Sequence, residues 1–249
     1  MTDGRQQDAA PGASQRHPVV RLPLTIDVAG WAYPVEGLGP GRRACLWVRG
    51  CTQRCPWCIS PELWEPGTPT AITAVAGELA APLSRGAGLT ISGGEPFDQP
   101  REVRQFILAV RAIAGDVEVL VYTGYSLDNL LSNSPTSTTC SAAKRLIECV
   151  DIVIDGPYVA SAGDELRWRG SDNQRVHLLT TRAQRHAAES QRPWSGPRPL
   201  RVQHVNDGEY RIAGIPRRGD VEQLRTALKK YDAVDRSDSE LKEGPWLKP

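Results

Sequence analysis

No apolar run in this sequence approaches the roughly 20 residues that a membrane-spanning helix requires. Its most apolar stretches, 105–110 (QFILAV) and 151–154 (DIVI), are far shorter, so no membrane partner is expected. Residues 1–18 are polar and hold no apolar core of a signal peptide, which points to a cytoplasmic protein. Neither sign of charge dominates: 30 Lys and Arg against 29 Asp and Glu leave +1, which argues against coating a polyanion. With 40% hydrophobic residues, wholesale disorder is excluded as well. The four histidines are scattered with no ligand spacing to one another and read as structural or surface residues, and no internal repeat is found.

The 249 residues present are ample for a filled core. Their 23 Gly and 20 Pro point to many loops or to unstructured ends. Residues 1–18 read as a disordered lead. An apolar strand at 44–48 runs into Gly50 and a cysteine cluster, and a helix is expected at 71–83. A strand at 88–91 ends in Ser92, Gly93, Gly94, Glu95 and Pro96. At 99–114, Val103, Phe106, Ile107, Val110 and Ile113 recur with helical period. A strand at 117–122, short helices at 126–131 and 142–149, and a strand at 152–154 continue the alternation. Strand and helix in turn imply parallel strands with crossovers, hence an α/β sheet or barrel.

In a reducing compartment, clustered cysteines read as metal or redox chemistry. Cys51, Cys55 and Cys58 have the spacing C-x3-C-x2-C on a loop after a strand. Structural zinc and electron-transfer clusters both usually take four protein ligands. Three thiolates on a cubane leave one iron open. Cys45 is the local candidate for a fourth ligand, although its apolar strand equally suits a small buried core residue, the reading given also to Cys140 and Cys149. The segment from Ser92 begins 34 residues after Cys58; its adjacent Gly93 and Gly94 let backbone approach a ligand closely, and Glu95 beside them can accept from an ammonium group.

These two motifs together resemble the signature of the radical S-adenosylmethionine (SAM) superfamily. Within it, Gly39-Pro40-Gly41-Arg42, Ser60-Pro61-Glu62-Leu63-Trp64, Tyr122-Thr123-Gly124-Tyr125, Asp155-Gly156 and the stretch 168–175 are similar, in order, to the activating proteins of anaerobic ribonucleotide reductase. The resemblance runs from about residue 37 to 180. It implies an α/β fold, a partial (β/α) barrel of the radical SAM type with a small C-terminal ββα appendage. It further implies one 4Fe-4S cluster on Cys51, Cys55 and Cys58, and SAM held by Trp57, Ser92, Gly93, Gly94, Glu95, Thr123, Gly124, Asp155, Arg169, Ser171 and Asn173. Tyr122 and Tyr125 could equally be packing residues.

The implied activity is reductive cleavage of SAM to a 5'-deoxyadenosyl radical, which takes hydrogen from a glycine of a partner glycyl-radical enzyme, with a flavodoxin or ferredoxin-type protein as electron donor. Two other readings stay open: a radical SAM enzyme acting on another peptide, a nucleoside or a small molecule, and a non-enzymatic iron–sulfur redox sensor or nucleic-acid-binding module. The expected organisation is a disordered segment 1–18, a core 19–181, a linker 182–199, a ββα module 200–232 and a flexible tail 233–249. In the module, Asp207-Gly208 turns a hairpin, and Asp220 with Gln223 would cap a helix striped by Val221, Leu224, Ala227, Leu228 and Tyr231. Eight arginines against three acids over 182–218 could dock an acidic partner or simply be solvated; a nucleic-acid partner is not expected.

Overall fold

The computed structural model describes residues 24–132, 138–163, 165–206, 209–217 and 219–237. The lead 1–18, the turn 207–208, Arg218 and residues 238–249 lie outside them, as does the side chain of Cys140. The elements in order are β1 (Thr25–Ile26), β2 (Val28–Val35), β3 (Arg43–Val48), a 3-10 turn (Pro61–Leu63), β4 (Thr70–Ala71), α1 (Ile72–Ser84) and β5 (Gly88–Gly93). A second 3-10 turn (Pro96–Asp98), α2 (Pro100–Ala114), β6 (Val119–Thr123), α3 (Leu127–Leu131), α4 (Thr138–Ile147), β7 (Ile152–Asp155) and β8 (Arg175–Leu178) follow. The chain continues through α5 (Thr181–Gln184), α6 (Ala187–Ser190), β9 (Arg201–Asn206), β10 (Glu209–Ala213) and α7 (Asp220–Ser237).

The α/β class holds, built on one mixed six-stranded sheet of order β2-β3-β5-β6-β7-β8. The four central strands are parallel; β2 and β8 run antiparallel at the edges. Alternate side chains serve opposite faces, as a pleated strand demands. Ala44, Leu46, Val48, Leu89, Ile91, Val119, Val121 and Val153 join the core that also takes Leu79 of α1, Phe106 of α2 and Leu146 of α4. On the other face, Cys45 and Trp47 pack with Leu38, Leu63, Ala213 and Ile215, while Leu120, Ile152 and Ile154 pack with Trp168 and Ala183. Cys45 is thus a core residue, its thiol pushed up by burial.

The helical rhythm of α2 is realised by Val103, Phe106, Ile107 and Val110, all buried. Ile113, expected on the same stripe, is 51% exposed where the last turn leaves the core. In α7 the expected capping box is not formed: the Asp220 carboxylate turns back to accept from the Arg217 N–H at 2.7 Å, and the Gln223 N–H reaches the Gly219 carbonyl at 3.0 Å. Val221, Leu224 and Leu228 are half-buried and Ala227 is exposed. Residues 233–237, expected in the tail, continue α7. Residues 182–199 hold α5 and α6, and several of their arginines serve the fold. Arg182 clamps Asp151 at 2.7 and 2.8 Å, and Arg185 pairs with Glu118 at 2.8 Å.

At the opposite end of β3 from the cysteine loop, Arg43 is buried within the sheet. It donates to Thr90 (2.6 Å), Glu118 (3.1 Å) and the carbonyls of Pro40, Leu89 and Glu118. A buried cation is tolerable only when paired and saturated with acceptors, and Arg43 is both.

Candidate functional site

Register decides which loops meet. Val48 pairs with Gly93, Val121 with Val153 and Thr123 with Asp155, so the carboxyl ends of the parallel strands lie on one edge of the sheet. From that edge spring the cysteine loop after β3, the Ser92 to Glu95 segment at the end of β5, the Thr123–Gly124 turn after β6 and the Asp155–Gly156 turn after β7.

The loops are stitched by backbone. The Gly94 N–H donates to the Val48 carbonyl (2.7 Å) and the Glu95 N–H to the Gly50 carbonyl (2.8 Å), one residue before Cys51. A Cβ on Gly93, whose φ is +102°, would come within 2.6 Å of the Val48 oxygen, and one on Gly94 would overlap the Gly50 carbonyl. Glycine is needed at both places because two backbones touch. Across the loop, Thr52 binds Asp98 through its N–H (2.7 Å) and its hydroxyl (3.0 Å), and the Tyr125 hydroxyl joins them at 2.9 Å from each partner. Tyr125 is therefore a brace for the cysteine loop. Arg54 (φ +41°) and Trp57 (φ +66°) adopt left-handed backbone that side chains disfavour, a local strain kept inside this loop.

Cys51, Cys55 and Cys58 line one cavity of about 710 Å³, within the range of ligand pockets. The same cavity is lined by Trp57, Ser92, Gly93, Gly94, Glu95, Thr123 and Gly124. Burial pushes the thiols of Cys51 and Cys58 up. Backbone N–H groups oppose that rise, including the Ser60 N–H, which points at the Cys58 sulfur from 3.4 Å. Donors aimed at cysteine sulfur are what a cluster-bound thiolate uses. Among the described residues no group of three His, Cys, Asp or Glu side chains is placed to hold a metal ion. Three cysteine thiols on one cavity wall are the donor type that an iron–sulfur cluster takes.

Glu95 is 1% exposed and its carboxylate is fully oriented. Oε1 accepts from the Phe97 N–H and the Thr123 hydroxyl, both at 2.9 Å, and Oε2 accepts from the Gly124 N–H at 2.8 Å. A carboxylate offers about four lone-pair sites, so one remains on Oε2 for a donor in the cavity. Burial raises the Glu95 carboxyl to about 7, with those three donors pulling against the rise.

Four of the expected SAM-holding residues do not line the cavity with their side chains. Asp155 is 1% exposed; it accepts from the Leu127 N–H at 2.6 Å and from Arg175 at 2.6 and 3.1 Å, beside His177. Burial alone would raise its carboxyl, but these partners hold it below the usual range. Ser171 accepts from the Val159 N–H (3.1 Å), Asn173 donates to the Pro157 carbonyl (2.7 Å) and Arg169 donates to the Gln174 carbonyl (2.9 Å). They shape two loops whose Gly156, Tyr158, Gly170 and Gln174 do line the cavity. Gln174, within the 168–175 stretch that carries the resemblance, accepts from the Gly170 N–H (2.8 Å) and donates to the Gly156 carbonyl (3.1 Å), linking the loops. Tyr122 lines the cavity and donates to the Trp168 carbonyl at 2.7 Å. Trp64, the last residue of the Ser60–Trp64 segment that carries the resemblance, also lines it, as does Gln53, which only its nearness to the cysteines signals in the sequence. No helix among the described residues is long and apolar enough to cross a membrane.

The family model described as "4Fe-4S single cluster domain" matches residues 37–177. The anaerobic ribonucleoside-triphosphate reductase-activating protein of Escherichia coli (strain K12) is 30% identical over 156 residues, covering 59% of this chain and 96% of that protein. The protein of the same name from Enterobacteria phage T4 is 31% identical over 160 residues, 62% of this chain and 96% of its own length. The pyruvate formate-lyase-activating enzyme of Listeria monocytogenes (serovar 1/2a) is 33% identical over 96 residues, 34% of this chain and 39% of that enzyme. With the cysteine loop and the Gly93–Gly94–Glu95 segment inside the matched span, the chain belongs to the family of 4Fe-4S single cluster domain proteins that includes the anaerobic ribonucleoside-triphosphate reductase-activating proteins.

Proposed function

We propose that this chain is a radical SAM activase that uses one 4Fe-4S cluster and SAM to draw a hydrogen atom from a glycine of a partner glycyl-radical enzyme such as anaerobic ribonucleotide reductase. The observation that carries this reading is the convergence of three cysteines, Ser92 to Glu95 and Thr123–Gly124 on one cavity. When bound, cluster and cofactor supply one-electron cleavage of a carbon–sulfur bond and a 5'-deoxyadenosyl radical.

The residues bind, orient and exclude water. Cys51, Cys55 and Cys58 would hold three irons of the cluster and leave the fourth to the amino and carboxylate groups of SAM. Glu95 presents its remaining lone pair on Oε2 to the ammonium group, and Ser92, Gly93 and Gly94 give that group a close backbone wall. Thr123 and Gly124 fix the Glu95 carboxylate and face the nucleoside part, with Trp57 at the mouth. Asp155, Arg169, Ser171 and Asn173 act one layer further out, ordering the walls that carry Gly156 and Gln174. No side chain is required for proton transfer; a fixed geometry supplies the rate. The sheet, in this reading, curves as a partial (β/α) barrel over residues 19–181 with the ββα segment 200–232 appended. A flavodoxin or ferredoxin-type donor in the cytoplasm supplies the electron.

The test is anaerobic reconstitution, dithionite reduction and incubation with SAM and the anaerobic ribonucleotide reductase of the same organism. The expected results are about four irons per chain, 5'-deoxyadenosine as product and a glycyl doublet by electron paramagnetic resonance, all lost in Cys55→Ala. A filled, reducible cluster that yields neither product nor radical would refute the reading.

A further inference from the structure

Helices α2 and α4 lie side by side over the sheet. Val103, Phe106 and Ile107 of α2 and Ala143 and Leu146 of α4 turn inward to the core. Between the two helices remains a second cavity of about 300 Å³, lined by Arg101, Arg104 and Gln105 of α2 and by Ser141, Ala142 and Arg145 of α4. It shares no lining residue with the cavity of the cysteines. Helical spacing explains the assembly: Arg104 and Gln105 follow Arg101 by about one turn, and Arg145 follows Ser141 likewise, so each set shares one helix face.

Three arginines and no acid line this space. Among the described residues, the guanidinium groups of Arg101, Arg104 and Arg145 make no ion pair or hydrogen bond within the chain, and the Arg104 Nε is buried without an acceptor. Elsewhere in the fold Arg43, Arg111, Arg175 and Arg182 each meet a buried carboxylate. Arg101 also stands in the first turn of α2, where the helix dipole already presents positive charge, so a cation there costs stability. Gathering like charges without a counter-ion does the same. Both costs become gains once an anion enters. We propose that this cavity is a binding site for a diphosphate group, held by the three arginines with Gln105 and Ser141 as neutral donors. Planar guanidinium forks match phosphate oxygens two at a time. One phosphomonoester brings about −1.5 to −2 charges at neutral pH, which leaves three cations incompletely balanced, so two linked phosphates satisfy the site better than one. A cavity at the small end of ligand pockets favours such a compact anion over a protein partner, whose stable docking needs about 800 Å² on each side.

The experiment uses the full reconstituted chain, with SAM in excess to fill the main cavity. Inorganic phosphate, pyrophosphate and uridine diphosphate are titrated by isothermal calorimetry, while the visible absorbance of the cluster is followed to show that it stays intact. The wild type is expected to bind pyrophosphate about tenfold more tightly than phosphate, with affinity falling as salt screens the charges. Uridine diphosphate separates the two sources of the group: affinity at or above that of pyrophosphate assigns the site to a diphosphate ester, and weaker affinity assigns it to the free anion. Arg104→Gln/Arg145→Gln should lose about tenfold in pyrophosphate affinity, and Arg104→Lys/Arg145→Lys, which keeps the charge without the fork, should lose less. Arg101→Gln, a change at an exposed side chain, should weaken binding in the same direction without disturbing the packing of α2 on α4. Absence of binding by all three anions, equal affinity for phosphate and pyrophosphate, or undiminished affinity in the Gln variants overturns the proposal. Production of 5'-deoxyadenosine tests the activase reading separately, since this site touches neither cluster nor SAM.

Discussion

Replacing Glu95 by Gln tests the centre of the site through a quantity that the fold itself sets. Burial raises this carboxyl from its usual 4.5 to about 7, against the pull of the Phe97, Gly124 and Thr123 donors. In that window the folded chain keeps a proton that the unfolded chain gives up. The stabilisation is therefore complete below about pH 4.5 and is lost as pH rises through about 7. Each tenfold difference in proton affinity between the folded and unfolded chain is worth about 1.4 kcal/mol, so the wild type should lose roughly 2–3 kcal/mol between pH 5 and pH 8 from this group alone. Glu95→Gln cannot titrate and loses none of it. The amide brings its own cost, since its NH2 must face the Gly124 N–H that Oε2 accepts at 2.8 Å, a mismatch worth about 1–3 kcal/mol. Urea unfolding of cluster-free protein under anaerobic, reducing conditions, followed by far-ultraviolet circular dichroism at both pH values, separates the two effects. The variant should be less stable at pH 5 and close to the wild type at pH 8. Equilibrium dialysis of the reconstituted protein adds a second reading: losing a charged acceptor for the ammonium group should weaken SAM binding roughly 10- to 100-fold, from about 1.5–3 kcal/mol. Equal pH slopes in the two proteins would refute the claim that Glu95 is ionised only at a cost.

Gly94→Ala should be among the most damaging single-methyl changes, because its Cβ overlaps the Gly50 carbonyl, which is backbone and cannot rotate away. A loss of about 3 kcal/mol by thermal unfolding, with iron content per chain well below wild type after reconstitution, is the expected outcome. Arg43→Met leaves Glu118 buried with only Arg185 and His186 beside it and should cost about 3–5 kcal/mol; the double variant Arg43→Met/Glu118→Leu should recover part of that loss in denaturant titration. Arg211→Ala removes a hydrogen bond and a cation–π contact that hold the hairpin to β2 and β3, worth about 1–2 kcal/mol together. Limited proteolysis should then cut faster after residue 200, while the cluster forms as before.

Much of the chemistry was legible in one dimension because it sits in contiguous segments. Cys51, Cys55 and Cys58 need only one loop, and Gly93, Gly94 and Glu95 only one strand end, so short motifs carry them. The elements of the sheet were legible for the same reason, since period-two and period-3.6 patterns are local. The β5 strand ran two residues further than expected, through Gly93, because its pairing with Val48 of β3 lies in another part of the chain. Asp155, Arg169, Ser171 and Asn173 were expected to hold SAM because of the resemblance. Their partners within the fold, such as Leu127, Arg175 and Val159, appear only once the loops are folded together.

The sequence by itself therefore determined the α/β class, the three-cysteine loop as the candidate cluster site and the family to which the chain is similar. The tertiary structure alone decided what surrounds them. It turned Glu95 into a buried acid held by Thr123 and Gly124, placed Cys45 in the core rather than at the cluster, and anchored much of the arginine-rich segment. It also brought Arg217 and Arg225, far along the chain from Cys51, to the same cavity. The physical reason is common to all four. Burial, hydrogen-bond saturation and charge pairing are properties of neighbours in space, and strand register and chain return fix those neighbours, not the order of residues along the chain.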